Sequence, residues 1–599
     1  MLSDNISTNQ LRTPFTTERS VRAQRTPRTQ IMQPFDYTTL KAVCYSLQEN
    51  YIPSRLEQVY QCDRTSISLC LRNIEKKSWL TISWHPQAAR ICVGNPPPRG
   101  KDTFTFSDQL RHLINGYALI GIEIVSDWER VIDFQFAQRP NESPLNHLYV
   151  EIMGKYSNVI LTNADNQIIT VAKQVTADKS TLRTVETSQI YQLPPPLTGN
   201  IPKLEESQET WQEKVSLIPG RIDKQLIKSY RGISPNIAKD LLHKSDIDLS
   251  KTNQELTQNE WKELYQNWQT WLTSIEKNQF YSHLTSEGYT VLGEPKQAEN
   301  INFVINEYYN QKIYQENFIQ LKQQLQQKIK NILKKLKTKK NKYLEKIKES
   351  DNCEIYSNKA DLLMAHLNQW QVGMKEITLN DFTTGEPVKI NLAPDKNMIQ
   401  NAQILYKKYQ KLKRAKQAVK PLLDEVNEEV NYLEQIAINL QQLDYQEKDD
   451  LTTLQEIKSE LINQKYIEDK QYRNNQNIQE ESQPRRYQTP SGYEVLVGRN
   501  NRQNDILTFK TATDYDLWFH AQEISGSHVL LRLNAGDAPE EKDLQFTANL
   551  AAYYSQGRES EQVPVVYTNP NHVYKPKGAK PGMVIYSKET VIWGKPLFN

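Results

Sequence analysis

Cysteine is scarce in this chain of 599 residues, and its pattern excludes two classes of protein. The five cysteines are odd in number and form no Cys-x-x-Cys pair: Cys44, Cys62, Cys70, Cys92 and Cys353. Disulfide-held secreted domains use even, regularly spaced cysteines, and structural zinc sites need paired Cys or His ligands. The sequence therefore predicts reduced thiols in a cytosol-like compartment and no bound metal.

Long apolar runs and nucleotide-binding motifs are also missing. No stretch approaches the roughly 18 apolar residues of a membrane span, and no signal peptide opens the chain. Neither the phosphate loop GxxxxGK[ST] nor the zinc-protease motif HExxH occurs. These absences predict a cytoplasmic protein that is neither an NTPase nor a zinc protease.

Net charge is small as well, at +3 from 74 basic and 71 acidic residues. Any affinity for nucleic acid must therefore come from local patches.

The length predicts about three to five domains. Residues 1–31 are rich in Thr, Ser, Arg and Gln without apolar periodicity, which predicts a disordered extension.

Two long charged helices are the most regular pattern, in residues 310–350 and 397–465. In each, apolar residues recur at alternating steps of three and four, which places them on one narrow face. Such a stripe is typical of helices that bury one seam against each other. The sequence thus predicts an antiparallel two-helix arm, about 50 Å long for about 35 residues.

Cations cluster on this arm, and antiparallel pairing is expected to bring them to its tip. A cationic tip attracts a phosphate backbone, although charge runs are more often only solvated. The residues expected to contact RNA here are Lys334, Lys335, Lys339, Lys340, Lys407, Lys408, Lys411 and Arg414.

The other segments predict separate domains. Short alternating apolar runs in residues 32–195 indicate an α+β or β-sandwich domain. Residues 205–295 are helical, and their Tyr-Arg-Gly-Ile-Ser-Pro stretch resembles a helix-hairpin-helix, whose turn can hold a phosphate. Residues 351–396 form a small middle domain, 466–484 a polar linker, and 485–599 a second α+β domain.

Polar and aromatic residues in the last domain are candidates for RNA contact. Side-chain donors surround Gly498, a Trp and two His lie near Gly526, and lysines follow in a Pro/Gly-rich loop. A buried core position is the alternative for the Trp, and catalysis by the His–Ser–His group lacks an acidic partner. The candidates are Arg499, Asn500, Asn501, Arg502, Trp518, His520, Ser527, His528, Lys575 and Lys577.

Several long motifs in order resemble the NFACT family. They are Leu148–Thr162, Asn401–Lys413, Gly498–Asp505, Asp516–His528 and Val573–Gly582. The resemblance implies a multidomain α+β protein. Its parts are an N-terminal α/β glycosylase-like domain, a helix-hairpin-helix domain, an antiparallel coiled-coil arm with a small middle domain, and a C-terminal α+β RNA-binding domain.

The resemblance also implies a function without enzymatic chemistry or cofactor. Such proteins bind stalled large ribosomal subunits carrying peptidyl-tRNA, and recruit alanyl-tRNA for untemplated alanine tailing beside a small S4-like RNA-binding partner. The family's tRNA-handling positions fall on Asp36, Glu129, Arg130, Glu151, Ile152 and Met153. Members that add tails commonly have Asp where this chain has Glu129.

Three alternatives stay open from the sequence. They are a surface adhesin that binds fibronectin, a generic RNA-binding scaffold without tailing activity, and a nucleic-acid enzyme related to DNA-repair glycosylases. The missing signal peptide argues against the adhesin. The missing N-terminal Pro-Glu argues against the glycosylase.

Overall fold

The computed structural model describes residues 32–98, 102–178, 180–446, 448–468 and 481–596. The predicted disordered extension and most of the predicted linker lie outside these residues. The chain divides into two compact units, Met1–Ile313 and Tyr314–Asn599. Among the described helices, none is long and apolar enough to cross a membrane.

The first unit is built on a nine-stranded sheet. Its strands are β1 Ser54–Asp63, β2 Ser66–Arg72, β3 Lys77–Ser83, β4 Arg90–Gly94, β5 Ala118–Ile124, β6 Val131–Ala137, β7 Asn146–Glu151, β8 Asn158–Asn163 and β9 Ile168–Val171. They lie in the order β4-β3-β2-β1-β5-β6-β7-β8-β9, and the neighbours pair antiparallel. An α/β domain requires parallel strands joined by helices. The α/β class implied for this domain is therefore wrong, and the domain is α+β.

Helices α1 (Tyr37–Tyr51) and α2 (Thr105–Ile114) contribute to the core of this sheet. Leu40 and Leu47 of α1 are buried with strand residues such as Leu69 and Ile132. Alternate strand positions supply the sheet's share of the core, because side chains of a strand point to opposite faces in turn.

A helical part completes the first unit with α3 Gln208–Ser216, α4 Ile222–Ser229, α5 Pro235–Lys244 and α6 Gln258–Glu276, followed by β10 His283–Leu284 and β11 Tyr289–Thr290. Trp211 is fully buried, and its ring centroid lies 5.6 Å from that of Trp268 on α6. The tryptophans of α6, Trp261, Trp268 and Trp271, are all buried in this core.

The second unit contains the arm. Its elements are the later part of α7 (Ile301–Asp351), α8 Cys353–Ala365, β12 Glu376–Asn380, β13 Pro387–Asn391, α9 Met398–Gln442 and α10 Lys448–Asn463. Lys337 pairs with Glu434 at 2.7 Å, and Asp351 pairs with Lys416 at 2.7 Å. Between these two pairs the residue number increases along α7 and decreases along α9. The two helices therefore run antiparallel, as predicted.

The expectation that all arm cations gather at the tip is wrong. Lys339 and Lys340 lie on α7 between Lys337 and Asp351, and the facing stretch of α9 carries Glu425, Glu428 and Glu429. The second cluster lies farther along the arm, where Lys408 contacts the Tyr356 ring of α8 at 4.2 Å from the centroid. The reason is that α8, rather than the end of α7, accompanies the first part of α9.

The C-terminal domain has a six-stranded antiparallel sheet. Its elements are β14 Arg485–Gln488, β15 Glu494–Val497, α11 Asn501–Ile506, β16 Leu517–Ala521, β17 Val529–Leu531, α12 Glu541–Tyr553, β18 Val563–Thr568, β19 Val573–Tyr574, β20 Ile585–Tyr586 and β21 Thr590–Gly594. The order is β14-β15-β17-β16-β18-β21, and β19 pairs separately with β20. Helix α12 packs its apolar face on this sheet. The predicted mixture of helix and sheet is confirmed.

Leu433→Ala is expected to destabilise the arm by about 2–5 kcal/mol, because Leu433 is fully buried in the cluster that includes Ile329 of α7 and Ile436 of α9. Leu422→Ala on the same helix is the control, because Leu422 is exposed and its loss is expected to cost under about 0.5 kcal/mol. Urea unfolding followed by circular dichroism at the helical band measures both. Equal losses in the two variants would contradict the packing.

Candidate nucleic-acid interfaces

Asp36 joins two helix N-termini in the first unit. Its Oδ1 accepts a hydrogen bond from Thr39 N at 2.9 Å and so caps α1. Its Oδ2 accepts from Ser234 Oγ at 2.6 Å, and Ser234 itself caps α5. A carboxylate at a helix N-terminus is favoured by unpaired N–H groups and by the helix dipole. The predicted phosphate position at the start of α5 is therefore occupied by the carboxylate of Asp36.

The loop that carries Glu129 and Arg130 connects β5 to β6 and is held by Trp128. Trp128 has a φ of +64°, and its ring stacks on Tyr37 with centroids 4.7 Å apart. Gly232, in the turn before α5, approaches so closely that a Cβ there would lie 2.4 Å from Trp128 Cε3. Only glycine allows this approach, and the loop is consequently fixed against the turn.

Glu129 is paired within the first unit. Its Oε1 accepts a hydrogen bond from Leu197 N at 3.0 Å and lies 3.7 Å from Arg231 Nη1. Arg231 belongs to the same turn as Gly232, between α4 and α5. The carboxylate of Glu129 is therefore a second contact between the β5–β6 loop and this turn.

Arg130 differs from its neighbour because its charge is not matched by a direct contact. Within the part of the chain that the structure describes, its side chain has neither a hydrogen bond nor an ion pair. Burial lowers the pKa of the guanidinium, whereas the nearby Asp36, Glu129 and Tyr309 favour its charged form. An arginine remains charged near neutral pH, so this position offers an incompletely solvated cation that suits a phosphate.

The next three predicted tRNA-handling residues are turned inward. Glu151 is 1% exposed; it accepts hydrogen bonds from Arg183 Nη2 at 2.6 Å and from the Tyr191 hydroxyl at 2.9 Å. Ile152 is buried, and its N–H donates to Arg130 O at 2.9 Å. Met153 is half-buried, and its N–H donates to Ser157 Oγ at 2.8 Å.

Direct RNA contact by Glu151 is at odds with this placement, because both its carboxylate oxygens already hold the Arg183–Tyr191 segment against β7. Burial also raises the pKa of Tyr191, which therefore stays a hydroxyl donor to the carboxylate. Glu151 and Ile152 instead position the strand end beside Arg130.

In the C-terminal domain the segment after Gly498 is buried against α10. Arg499 pairs with Asp450 at 2.8 Å, Asn500 Nδ2 donates to Glu456 Oε2 at 2.7 Å, and Asn501 Nδ2 donates to Glu460 Oε1 at 3.0 Å. These side chains are all buried. Their donors are consequently used by carboxylates of the chain itself, which corrects the prediction that they face RNA.

Helix α9 completes this contact with amide side chains. Gln435 exchanges two hydrogen bonds with the backbone of Gly526, at 2.6 Å to its oxygen and 2.7 Å from its nitrogen. Gln442 Nε2 donates to Ser555 O at 3.2 Å. We call the whole contact the polar joint: Gln435, Asn439 and Gln442 of α9, Asp450, Glu456 and Glu460 of α10, and Arg499, Asn500, Asn501 and Gly526 of the domain.

The Trp and His candidates form part of the domain interior. Trp518 is fully buried, and its Nε1 donates to Thr508 Oγ1 at 3.1 Å. His528 Nδ1 lies 2.8 Å from the same hydroxyl. Burial lowers the pKa of His520 to about 4 and that of His528 as well, so both rings are neutral near pH 7. The core interpretation of Trp518 is therefore correct.

Ser527 is also held inside the domain. Its Oγ donates to Gly498 O at 2.7 Å. The hydroxyl proton thus goes to a backbone carbonyl and not to either histidine, which leaves no activated nucleophile here. In the described residues there is also no group of three His, Cys, Asp or Glu side chains that could hold a metal ion.

The remaining candidates divide between paired and open positions. Lys575 pairs with Asp505 and Arg502 with Glu481. Lys577 is exposed. Lys340 is half-buried and the other predicted arm cations are exposed; no described residue forms an ion pair with any of the set, which consists of Lys334, Lys335, Lys339, Lys340, Lys407, Lys408, Lys411 and Arg414.

Sequence reasoning missed the partners that make up the polar joint. Asp450, Glu456 and Glu460 lie on a charged helix whose polar residues look like an ordinary solvated face. It placed Lys580 in the exposed basic loop and missed its contacts with two rings: its Nζ lies 4.8 Å from the Tyr432 ring centroid and 4.9 Å from that of Tyr466. No local sequence pattern predicts these hydrogen bonds and ring contacts, because the partners are far apart in the chain.

Comparison with known proteins agrees with the domain order. The family model for NFACT N-terminal and middle domains matches residues 36–480, and the model for the NFACT protein RNA binding domain matches residues 483–588. The Rqc2 homolog RqcH of Bacillus subtilis is 30% identical over 577 residues, which cover 94% of this chain and 98% of that protein. The Rqc2 homolog RqcH of Streptococcus suis is 29% identical over 568 residues, with 92% and 96% covered.

Among solved structures, the C-terminal part of the fibronectin/fibrinogen-binding protein from Streptococcus suis is 30% identical, with a TM-score of 0.36. The match covers 47% of this chain and 96% of that one. Because the first family model spans most of the chain and the curated relatives match nearly end to end, the chain belongs to the NFACT family.

Proposed function

We propose that this protein is a cytoplasmic ribosome quality-control factor. It binds stalled large ribosomal subunits that carry peptidyl-tRNA and recruits alanyl-tRNA, so that untemplated alanines are added to the nascent chain and mark it for degradation. The observation that carries this proposal is the nearly end-to-end relationship to the RqcH proteins, which includes an RNA-binding domain model.

The first unit is the proposed site for tRNA. Arg130 supplies a partly buried guanidinium whose described surroundings leave its donors unused, on a loop fixed by Trp128 and Glu129. An arginine fork binds a phosphate through two parallel hydrogen bonds, and the fixed loop restricts where this fork can lie. Asp36 fixes the starts of α1 and α5 relative to each other and favours the charged form of Arg130.

The arm is the proposed contact with ribosomal RNA. Cations that form no ion pair with any described residue lie along two stretches of α7 and α9, and all of those predicted to contact RNA except the half-buried Lys340 are exposed. Two separate stretches suit an extended duplex, whose backbone presents phosphates at regular intervals.

Peptide-bond formation belongs to the ribosome in this proposal, and the protein positions RNA without a chemical step or a cofactor. The buried, neutral His520 and His528 and the carbonyl-bound Ser527 support this assignment. The small S4-like RNA-binding protein is the further partner that we propose on the same large subunit.

Arg130→Ala is expected to reduce the tRNA that copurifies with the protein at least about tenfold, because hydrogen bonds to a charged group contribute about 1.5–3 kcal/mol. Sequencing and quantifying the bound tRNA measures the change. Arg139→Ala, at an exposed position of the same domain, is the control and is expected to leave the amount unchanged. An unaltered tRNA set in the Arg130 variant would refute the site.

Replacing Lys334, Lys335, Lys339 and Lys340 together by Gln is expected to weaken association with large subunits and to flatten its dependence on salt. The logarithm of the association constant falls linearly with the logarithm of the salt concentration, and each lost phosphate contact makes this negative slope shallower by about 0.7–0.9. Cosedimentation at several salt concentrations measures both effects. The control variant has the same four lysines replaced by Arg; it keeps the charges and is expected to bind as the original chain does. Identical salt dependence for the Gln variant and the original chain would exclude these lysines from the contact.

A further inference from the structure

The polar joint uses buried side chains of the helical segment 501–511, and the same segment also carries exposed side chains. Asn501, Asn504 and Thr508 are buried. Phe509, in the π-helical turn that ends the segment, is 42% exposed, and Lys510 beside it is exposed. Phe509 thus presents part of its ring to solvent beside a cation.

A second exposed aromatic group lies on the small β19–β20 hairpin. Tyr574 is 54% exposed and is the pairing partner of Ile585, which is also exposed. The strand neighbour Val573 points inward and packs on Trp518. The outer face of the hairpin is thus apolar and aromatic, while its inner face belongs to the core.

Asp505 brings these two elements to one side of the domain. Its carboxylate accepts a hydrogen bond from Gly582 N at 3.1 Å and pairs with Lys575, both from the loop between β19 and β20. Phe509 follows Asp505 by four residues in the same helical segment, so the segment that carries the exposed ring is tied to the hairpin loop. We call Phe509, Lys510, Tyr574, Lys577 and Ile585 the outer aromatic face.

The chemistry of this face matches unpaired nucleobases. Aromatic rings stack on bases irrespective of sequence, and nearby cations attract the backbone. Lys510 and Lys577 are exposed and form no ion pair with any described residue. Bases inside a duplex already stack on each other and are not available to protein rings.

We infer that the outer aromatic face binds single-stranded RNA by stacking bases on Phe509 and Tyr574. This inference rests on the RNA-directed part of the proposed function and assigns it to residues next to, but distinct from, the buried Gly498 segment. The RNA-binding role predicted for Arg499, Asn500 and Asn501 then becomes a positioning role, since these residues fix the helical segment that presents Phe509.

The test uses the full-length chain and a fluorescein-labelled 12-nucleotide oligouridine, alone or annealed to oligoadenosine, with binding followed by anisotropy. Phe509→Ala and Tyr574→Ala are each expected to weaken single-strand binding at least about fivefold. Duplex binding is expected to change less than about twofold. Tyr574→Phe keeps the ring and is expected to bind as the original chain does.

Trp593→Ala is the matched control, because Trp593 is an exposed aromatic residue on the edge strand β21 of the same domain. Unchanged single-strand affinity in the folded Phe509→Ala/Tyr574→Ala double variant overturns the inference, as does an equal loss in Trp593→Ala. Thermal melts establish that the variants are folded; their exposed positions predict unchanged transitions.

Cosedimentation of the same variants with large subunits separates this inference from the proposed function. If the variants keep oligouridine affinity while the original chain sediments with subunits, the inference fails and the proposed function stands. If the variants lose oligouridine affinity but the original chain does not sediment with subunits, the stacking face stands and the ribosomal function fails.

Discussion

The second unit depends on a buried contact between carboxylates and amides, the polar joint. Three carboxylates of α10 meet the segment after Gly498, and three amide side chains of α9 meet Asn501, Gly526 and Ser555. Burying such groups is costly unless each finds a partner, and here each of the three carboxylates accepts a hydrogen bond from Arg499, Asn500 or Asn501. Burial still raises the pKa of Glu460 to about 7 although Tyr432 and Asn501 donate to it. Such an interface specifies one orientation of the domain more than it adds stability, because an apolar contact of the same size tolerates sliding.

The first unit uses a single carboxylate in a comparable way. Asp36 satisfies donors at the start of both α1 and α5, and so ties the sheet domain to the helical domain. Trp128, stacked on Tyr37 and pressed on Gly232, fixes the loop beside it. The consequence is that the backbone at Arg130 is held by the loop and by Ile152, while its guanidinium forms no ion pair with any described residue. A cation fixed in this manner can meet an incoming anion without first giving up a partner.

The sequence was informative where periodicity determines structure. The antiparallel pairing of α7 and α9 and the alternating strands lie as predicted, because apolar spacing dictates which side of an element is buried. Polar residues were harder to interpret. The segment after Gly498 has the composition of an RNA-facing loop. Nothing local shows that its donors will bind the carboxylates of Asp450, Glu456 and Glu460 instead. The position of Lys339 and Lys340 along the arm also required knowledge of α8, whose short break after α7 carries no periodic signal.

The paired hydrogen bonds between Gln435 and Gly526 have a mechanical consequence. A side-chain amide that both donates to and accepts from one backbone unit imitates the pairing of two strands, so it resists twisting about α9 as well as separation from it. Gln442, two helical turns farther along α9, holds Ser555 and opposes rocking about the first contact. We therefore expect a rotation of the outer part of the arm to rotate the C-terminal domain with it, because two separate contacts hold the domain to α9.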